Sequence, residues 1–169
     1  MDKKPTISIV AAMSQNRVIG KDNKIPWHVK NDLLHLKNLV MGNAVILGRK
    51  TFDSLSWYYN KSGRPMPGKL YVIITNNKDY KTDRENTLIV HSFEEALNAV
   101  RGEDEVFIIG GQKVFEQAIR VADKLYLTII EGNVEGDTFF PDYSEFKKEI
   151  NRQEGEENGF KYSFVDLVR

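Results

Sequence analysis

The stretch Val106-Phe107-Ile108-Ile109-Gly110-Gly111-Gln112-Lys113-Val114-Phe115-Glu116-Gln117-Ala118-Ile119, VFIIGGQKVFEQAI, joins an apolar run to a segment of helical spacing through two adjacent glycines. An apolar run without alternation reads as a strand buried on both faces. Four further runs of this kind stand out: ISIVAAM (7–13), AVILG (44–48), LYVIIT (70–75) and KLYLTII (124–130). Between them lie helix-like segments at 31–41 with Asn31 as the expected N-cap, a short one after Gly48, SFEEALNAV (92–100), and 111–119. Ser92 and Glu95 have the spacing of a capping box. Strand and helix therefore alternate, which argues for an α/β fold with a mostly parallel sheet and ligands at the carboxyl ends of its strands. The final stretch, FKYSFVDLV (160–168), alternates and is expected to add an antiparallel edge strand. SWYYNKSG (56–63) reads as an aromatic surface loop before the turn-like RPMPG (64–68).

The chain has 169 residues, 41% of them apolar, enough for one domain over 1–169 and one substantial core. Its 24 basic and 24 acidic residues cancel, leaving no global field to draw nucleic acid or an acidic membrane surface. There is no cysteine, which removes disulfides, thiolate catalysis and cysteine-ligated zinc. The opening MDKKPTISIVAAM turns polar too soon for a signal peptide or a membrane span, so a cytoplasmic protein is expected.

Two strand-to-helix junctions are suited to phosphate. Gly110-Gly111 lets a ligand approach the backbone beside a helix N-terminus, although a turn or packing role is equally open, and the pattern is not G-x-G-x-x-G. GNAVILGRKT (42–51) resembles a P-loop but has one residue too many between its glycines, and AVIL reads as strand interior. What survives there is Gly48-Arg49-Lys50-Thr51, with two cations that suit an extra phosphate monoester such as the 2′-phosphate of NADPH, or are simply solvated.

The other informative stretch is IPWHVKNDLLHLK (25–37). On a helical wheel Asp32 falls inside the apolar arc formed by Val29, Leu33, Leu36, Leu39 and Val40. A carboxylate there needs a partner, unless it serves only as a first-turn acid near the helix N-terminus. His28, Asp32 and His35 do not make a metal site, because His28 precedes the helix and His35 lies outside the arc. No metal is expected.

Together these segments resemble the dihydrofolate reductase family over nearly the whole chain. The motifs in register are IVAAMSQNRVIGKDNKIPW (9–27), DLLHLK (32–37), AVILGRKTF (44–52), GRPMPG (63–68), VFIIGGQKVFEQ (106–117), KLYLT (124–128) and EGDTFFPDY (135–143). The resemblance implies an α/β fold: a central, mostly parallel eight-stranded sheet with an antiparallel C-terminal strand, flanked by about four helices. It implies NADPH as cofactor, dihydrofolate as substrate and antifolates as inhibitors. It makes Asp32, Trp27 and Thr128 the catalytic set: Asp32 holds the pterin, Thr128 bonds to Asp32 and substrate, and Trp27 anchors the loop 14–29 and orders water. The pKa of Asp32 should be raised by partial burial. Val10 and Ile109 would offer carbonyls to the pterin, while Ala12, Ile25, Leu33, Leu36, Lys37, Leu55, Met66 and Lys69 complete the substrate set. Ala12, Ile19, Gly20 and Asn23 would meet the nicotinamide side. Gly48, Arg49, Lys50, Thr51, Thr75, Asn76, Gly110, Gly111, Gln112, Lys113, Val114 and Phe115 would hold the rest of the cofactor, with Gly110-Gly111 joined by a cis peptide.

Three positions depart from the family pattern. Lys69 stands where an arginine grips the glutamate tail, Phe115 stands where many bacterial relatives have tyrosine, and segment 56–63 is longer than in compact bacterial members. Alternative readings are a riboflavin-pathway reductase acting on a pyrimidine, and a catalytically silent NADP-binding module. A monomer is expected.

Overall fold

The computed structural model describes residues 4–22, 25, 27 and 29–169. Its elements run β1 (Thr6–Ser14), β2 (Val18–Gly20), α1 (Lys30–Val40), β3 (Ala44–Gly48), α2 (Arg49–Ser62), β4 (Leu70–Ile74), β5 (Thr87–Val90), α3 (Phe93–Ala99), β6 (Glu105–Ile108), α4 (Gln112–Ala118), β7 (Lys124–Ile130), β8 (Thr138–Phe139), β9 (Lys148–Glu157) and β10 (Phe160–Val168). Eight strands form one sheet in the order β5-β4-β3-β6-β1-β7-β10-β9. Pairing is parallel from β5 through β7, and antiparallel between β7 and β10 and between β10 and β9. The remaining two strands, β2 and β8, pair with each other.

The continuous apolar runs are the strands buried on both faces, as their composition requires. One face packs Ile7, Ile9, Ala11, Ile46 and Leu127 against Phe93 and Ala96 of α3 and Val114, Phe115 and Ala118 of α4. The other packs Val45, Leu47, Ile73 and Phe107 against Val40 of α1 and Phe52 of α2. A layer of helices on each side of the sheet follows, with α1 and α2 on the same side.

The structure corrects four expectations. Segment 56–63 is no loop: its first seven residues complete α2, because Phe52, Leu55 and Tyr59 carry one apolar face onward and nothing breaks the helix before Gly63, whose φ of +70° ends it. The C-terminal stretch 160–168 is not at the edge, because β9 lies outside it. β9, KEINRQEGEE, is exposed along almost its whole length and shows no apolar alternation to betray it. Finally, α1 starts at Lys30 with Val29 as N-cap, so Asn31 is inside the helix, and Leu33 of the expected apolar arc is 37% exposed. By contrast the cap of α3 is as read: Ser92 Oγ accepts the N–H of Glu95 at 3.0 Å, and Glu95 Oε2 accepts the N–H of His91. Among the described residues no helix is long and apolar enough to cross a membrane.

Candidate active site

The strand register gathers the candidate residues along one line. In the middle of the sheet the carboxyl ends of β3, β6, β1 and β7 stand side by side, bringing Gly48, Gly110-Gly111, Ala12 and Thr128 onto consecutive strands. Ala12 pairs with Thr128, and Thr128 pairs with Phe164 of β10. Asp32, in the first turn of α1, sits over this row. Its Oδ1 accepts the hydroxyl proton of Thr128 at 2.8 Å.

Thr128 is 2% exposed, so its hydroxyl would be orphaned without this partner. Asp32 is half-buried. Desolvation raises the pKa of its carboxyl group above the usual carboxylate value, and the Thr128 hydrogen bond opposes that rise. This meets the expectation from its place on the wheel.

The walls around the pair are apolar. Trp27 is buried with Val29, Ile130 and Tyr162, and Ala12 packs against that group. Leu36, Leu55, Met66 and Ile109 pack on the cluster that contains Val10, Phe52 and Tyr126. Leu33, next to Asp32 in sequence, is 37% exposed, and Ile25 is 58% exposed. Lys37 is half-buried in the last turn of α1. Lys69 is engaged: its Nζ lies 2.7 Å from Glu103 Oε1.

At the phosphate-suited junction the Gly48 N–H donates to Gly110 O at 2.7 Å, tying the two strand ends together. The peptide between Gly110 and Gly111 is cis. A Cβ at Gly110, whose φ is +117°, would meet the Phe115 ring at 3.0 Å, and one at Gly48 would come within 3.7 Å of both junction glycines. At Gly110 both the backbone conformation and the close ring favour glycine, whereas a Cβ at Gly48 would make ordinary contact. The fourteen-residue α2 opens from Gly48 without a side-chain cap, so the donors of its first turn are available to an anion. Thr51 lies beside Gly111, and Val114 beside Gly48. Arg49 sits at the head of α2, paired through Nη1 with Asp53 at 3.1 Å. Lys50, Asn76 and Lys113 are exposed around the junction's outer side, and Thr75 is buried at the end of β4.

The loop side is held by short pairings. Ile19 packs on the core, and Gly20 O accepts the N–H of Asp137. Asp137 Oδ2 in turn accepts the N–H of Asp22 at 3.0 Å. Gln112 joins α4 to this region by accepting the N–H of Phe139 at 2.8 Å. Asn23 and His28 fall outside the described residues.

Three residues that the sequence reading passed over take part in this architecture. His91 Nδ1 lies 2.7 Å from Thr75 O; a carbonyl only accepts, so Nδ1 carries the donated proton. Glu157 and Tyr162 reach the start of α1 from the far end of the chain. No local motif announces contacts across such separations.

Comparison with known proteins decides the family. The dihydrofolate reductase family model matches residues 6–169. The chain belongs to the dihydrofolate reductase family. It is 37% identical over 168 residues to the dihydrofolate reductase of Staphylococcus aureus strain Mu50, covering 97% of this chain and 98% of that relative. It is 38% identical over 167 residues to a dihydrofolate reductase type 3 of Salmonella typhimurium, covering 96% and 98% of the two chains. Its fold superposes with a TM-score of 0.81 on the dihydrofolate reductase of Enterococcus faecalis, solved with NADP(H) and RAB-propyl, at 31% identity over 100% of this chain and 99% of that one. The dihydrofolate reductase fold thus accounts for the eight-stranded sheet and its helices.

Proposed function

We infer that this chain reduces 7,8-dihydrofolate to 5,6,7,8-tetrahydrofolate at the expense of NADPH. The observation that carries the reading is the row of strand ends, which sets a desolvated carboxylate on Thr128 beside a glycine-floored, phosphate-suited junction. NADPH, when bound, supplies the hydride that the pterin receives at C6.

Asp32 offers two acceptors in one plane, which suits the paired 2-amino and ring N–H donors of a pterin. Thr128 fixes its orientation by occupying Oδ1. Because burial raises its pKa, Asp32 can share a proton with the ring and polarise it, while N5 is protonated by water ordered near Trp27. Val10 and Ile109 would accept from the pterin through their carbonyls, with Ala12 and Ile25 on the ring's borders. Leu33, Leu36, Leu55 and Met66 exclude water from the ring and the aminobenzoyl group. Lys37 and Lys69 are the cations available to the glutamate tail.

Gly48, Thr51, Gly110, Gly111 and Gln112 would seat the pyrophosphate side of the cofactor, with Val114 and Phe115 packing beneath. Arg49, Lys50, Thr75, Asn76 and Lys113 would meet the adenine-side phosphates, and Ile19 and Gly20 the nicotinamide. We read the enzyme as a cytoplasmic monomer that antifolates inhibit.

The test is the absorbance of NADPH with and without dihydrofolate. Oxidation that requires dihydrofolate supports the reading. Oxidation only with a ribityl-bearing pyrimidine, or NADPH binding without turnover on either substrate, overturns it.

A further inference from the structure

The helix that carries Asp32 begins without a cap of its own. Val29 occupies the N-cap with an extended backbone and makes no side-chain hydrogen bond, and its own side chain is buried with Trp27 and Tyr162. The acceptor that a helix start needs comes instead from the last residue of β9. Glu157 takes the N–H of Lys30 on Oε2 and the N–H of Asn31 on Oε1, across 127 and 126 residues of sequence. Its placement is set by the hairpin: Glu157 pairs with Phe160 across Asn158-Gly159, whose φ values of +53° and +80° make a tight two-residue turn.

The same hairpin holds α1 at two more points. Asn31 Nδ2 donates to Tyr162 Oη at 2.8 Å, and the His35 ring stacks on Phe164 with centroids 4.1 Å apart and planes 16° from parallel. Phe164 is also the register partner of Thr128. Asp32 is therefore gripped on both sides in sequence, at Lys30-Asn31 and at His35, by the strand pair that borders its hydrogen-bond partner.

We propose that Glu157 is a positioning residue for the reaction. Its carboxylate fixes the first turn of α1 against the β9–β10 hairpin, and so keeps the Asp32 carboxylate seated on Thr128 and aimed at the substrate. This rests on the reading of Asp32 as the substrate-holding group.

The test compares Glu157→Ala, Glu157→Gln and the exposed-strand control Glu154→Ala. For Glu157→Ala, kcat/KM for dihydrofolate falls about 5- to 30-fold, the factor that corresponds to loss of a good N-cap. The dissociation constant for NADPH, measured by fluorescence titration, stays within about twofold of wild type, because the cap lies on α1 and not at the glycine junction. Glu157→Gln, which keeps one acceptor of the same reach but turns a donor amide toward the second N–H, recovers only part of the loss, and Glu154→Ala changes nothing. A merely structural role lowers the melting temperature but leaves kcat/KM intact below it, and that result overturns the proposal. So does an equal loss of NADPH affinity. Should Glu157→Ala not fold, an unchanged kcat/KM in Tyr162→Phe together with Glu157→Gln overturns it, and a graded loss in the two supports it. A wild-type protein without dihydrofolate turnover refutes the functional reading instead. Amide hydrogen exchange at Lys30 to Leu33 then decides the capping itself: exchange faster in Glu157→Ala supports it, and unchanged exchange overturns it.

Discussion

The two sides of the candidate cleft handle charge in opposite ways. On one side a single carboxylate, Asp32, is desolvated and answered by one neutral hydroxyl. On the other, at the glycine junction, Lys50 and Lys113 stand in solvent, and Arg49 is already paired with Asp53. A buried charge interacts strongly with whatever meets it but is costly to maintain, whereas exposed charges are cheap and individually weak. On the proposed reading the chemistry is concentrated in one residue, and cofactor preference is distributed over several.

Removing the buried charge is the hardest blow to this contrast. Asp32→Asn should lower kcat/KM for dihydrofolate on the order of 10²-fold or more, the range of lost acid–base participation, while NADPH still binds. The same substitution should stabilise the ligand-free protein at neutral pH. The folded-state pKa of Asp32 lies above its ordinary value of 3.8, so the folded chain binds more protons than the unfolded one between those two values. Stability therefore falls as pH rises through that window, and the full penalty persists above it. The melting temperature of Asp32→Asn should exceed wild type at pH 7, with the gap closing as pH falls toward the ordinary value. A variant less stable than wild type at pH 7 would break the contrast.

The distributed side should yield a smaller effect. Arg49→Gln should cut kcat/KM for NADPH about 10- to 100-fold, the equivalent of one charge-assisted hydrogen bond, and leave the NADH value nearly unchanged. Parallel loss with both cofactors would show that Arg49 acts through α2 rather than on a phosphate.

Lys69 sharpens the contrast at its weakest point. Glu103 already holds its ammonium, and lysine lacks the paired donors of arginine. Lys69→Arg should lower KM for dihydrofolate about fivefold, the scale of a net 1 kcal/mol hydrogen bond, and leave a dihydropterin without the glutamate tail unaffected. An equal response with both substrates would move tail recognition elsewhere.

What could be read from the residues alone follows the range over which each signal acts. The cap of α3 lies within four residues, from Ser92 to Glu95, and the spacing displays it. The cap of α1 arrives from Glu157, so the local pattern pointed to Asn31 instead. Asp32 was conspicuous because a carboxylate among leucines violates the pattern around it, and the glycine junction because two glycines interrupt a buried strand. The end of α2 reads as a loop because its aromatic and polar residues run straight into the turn-like RPMPG, whereas the structure buries Tyr59 and leaves its neighbours Trp57 and Tyr58 exposed. Strand β9 stayed hidden because a strand with little to bury carries no alternation.

That same strand bears on how neighbouring molecules meet. An open sheet border is a template for pairing with another chain, and a molecule of zero net charge has no overall repulsion to keep copies apart. At one border β5 is only four residues long. At the other, β9 runs for ten residues but studs its length with Lys148, Glu149, Arg152, Glu154, Glu156 and Glu157. A second strand laid along it would have to dehydrate those charges. The polar composition that conceals β9 from a reader of the sequence also makes this border of the sheet a costly one for another strand to join.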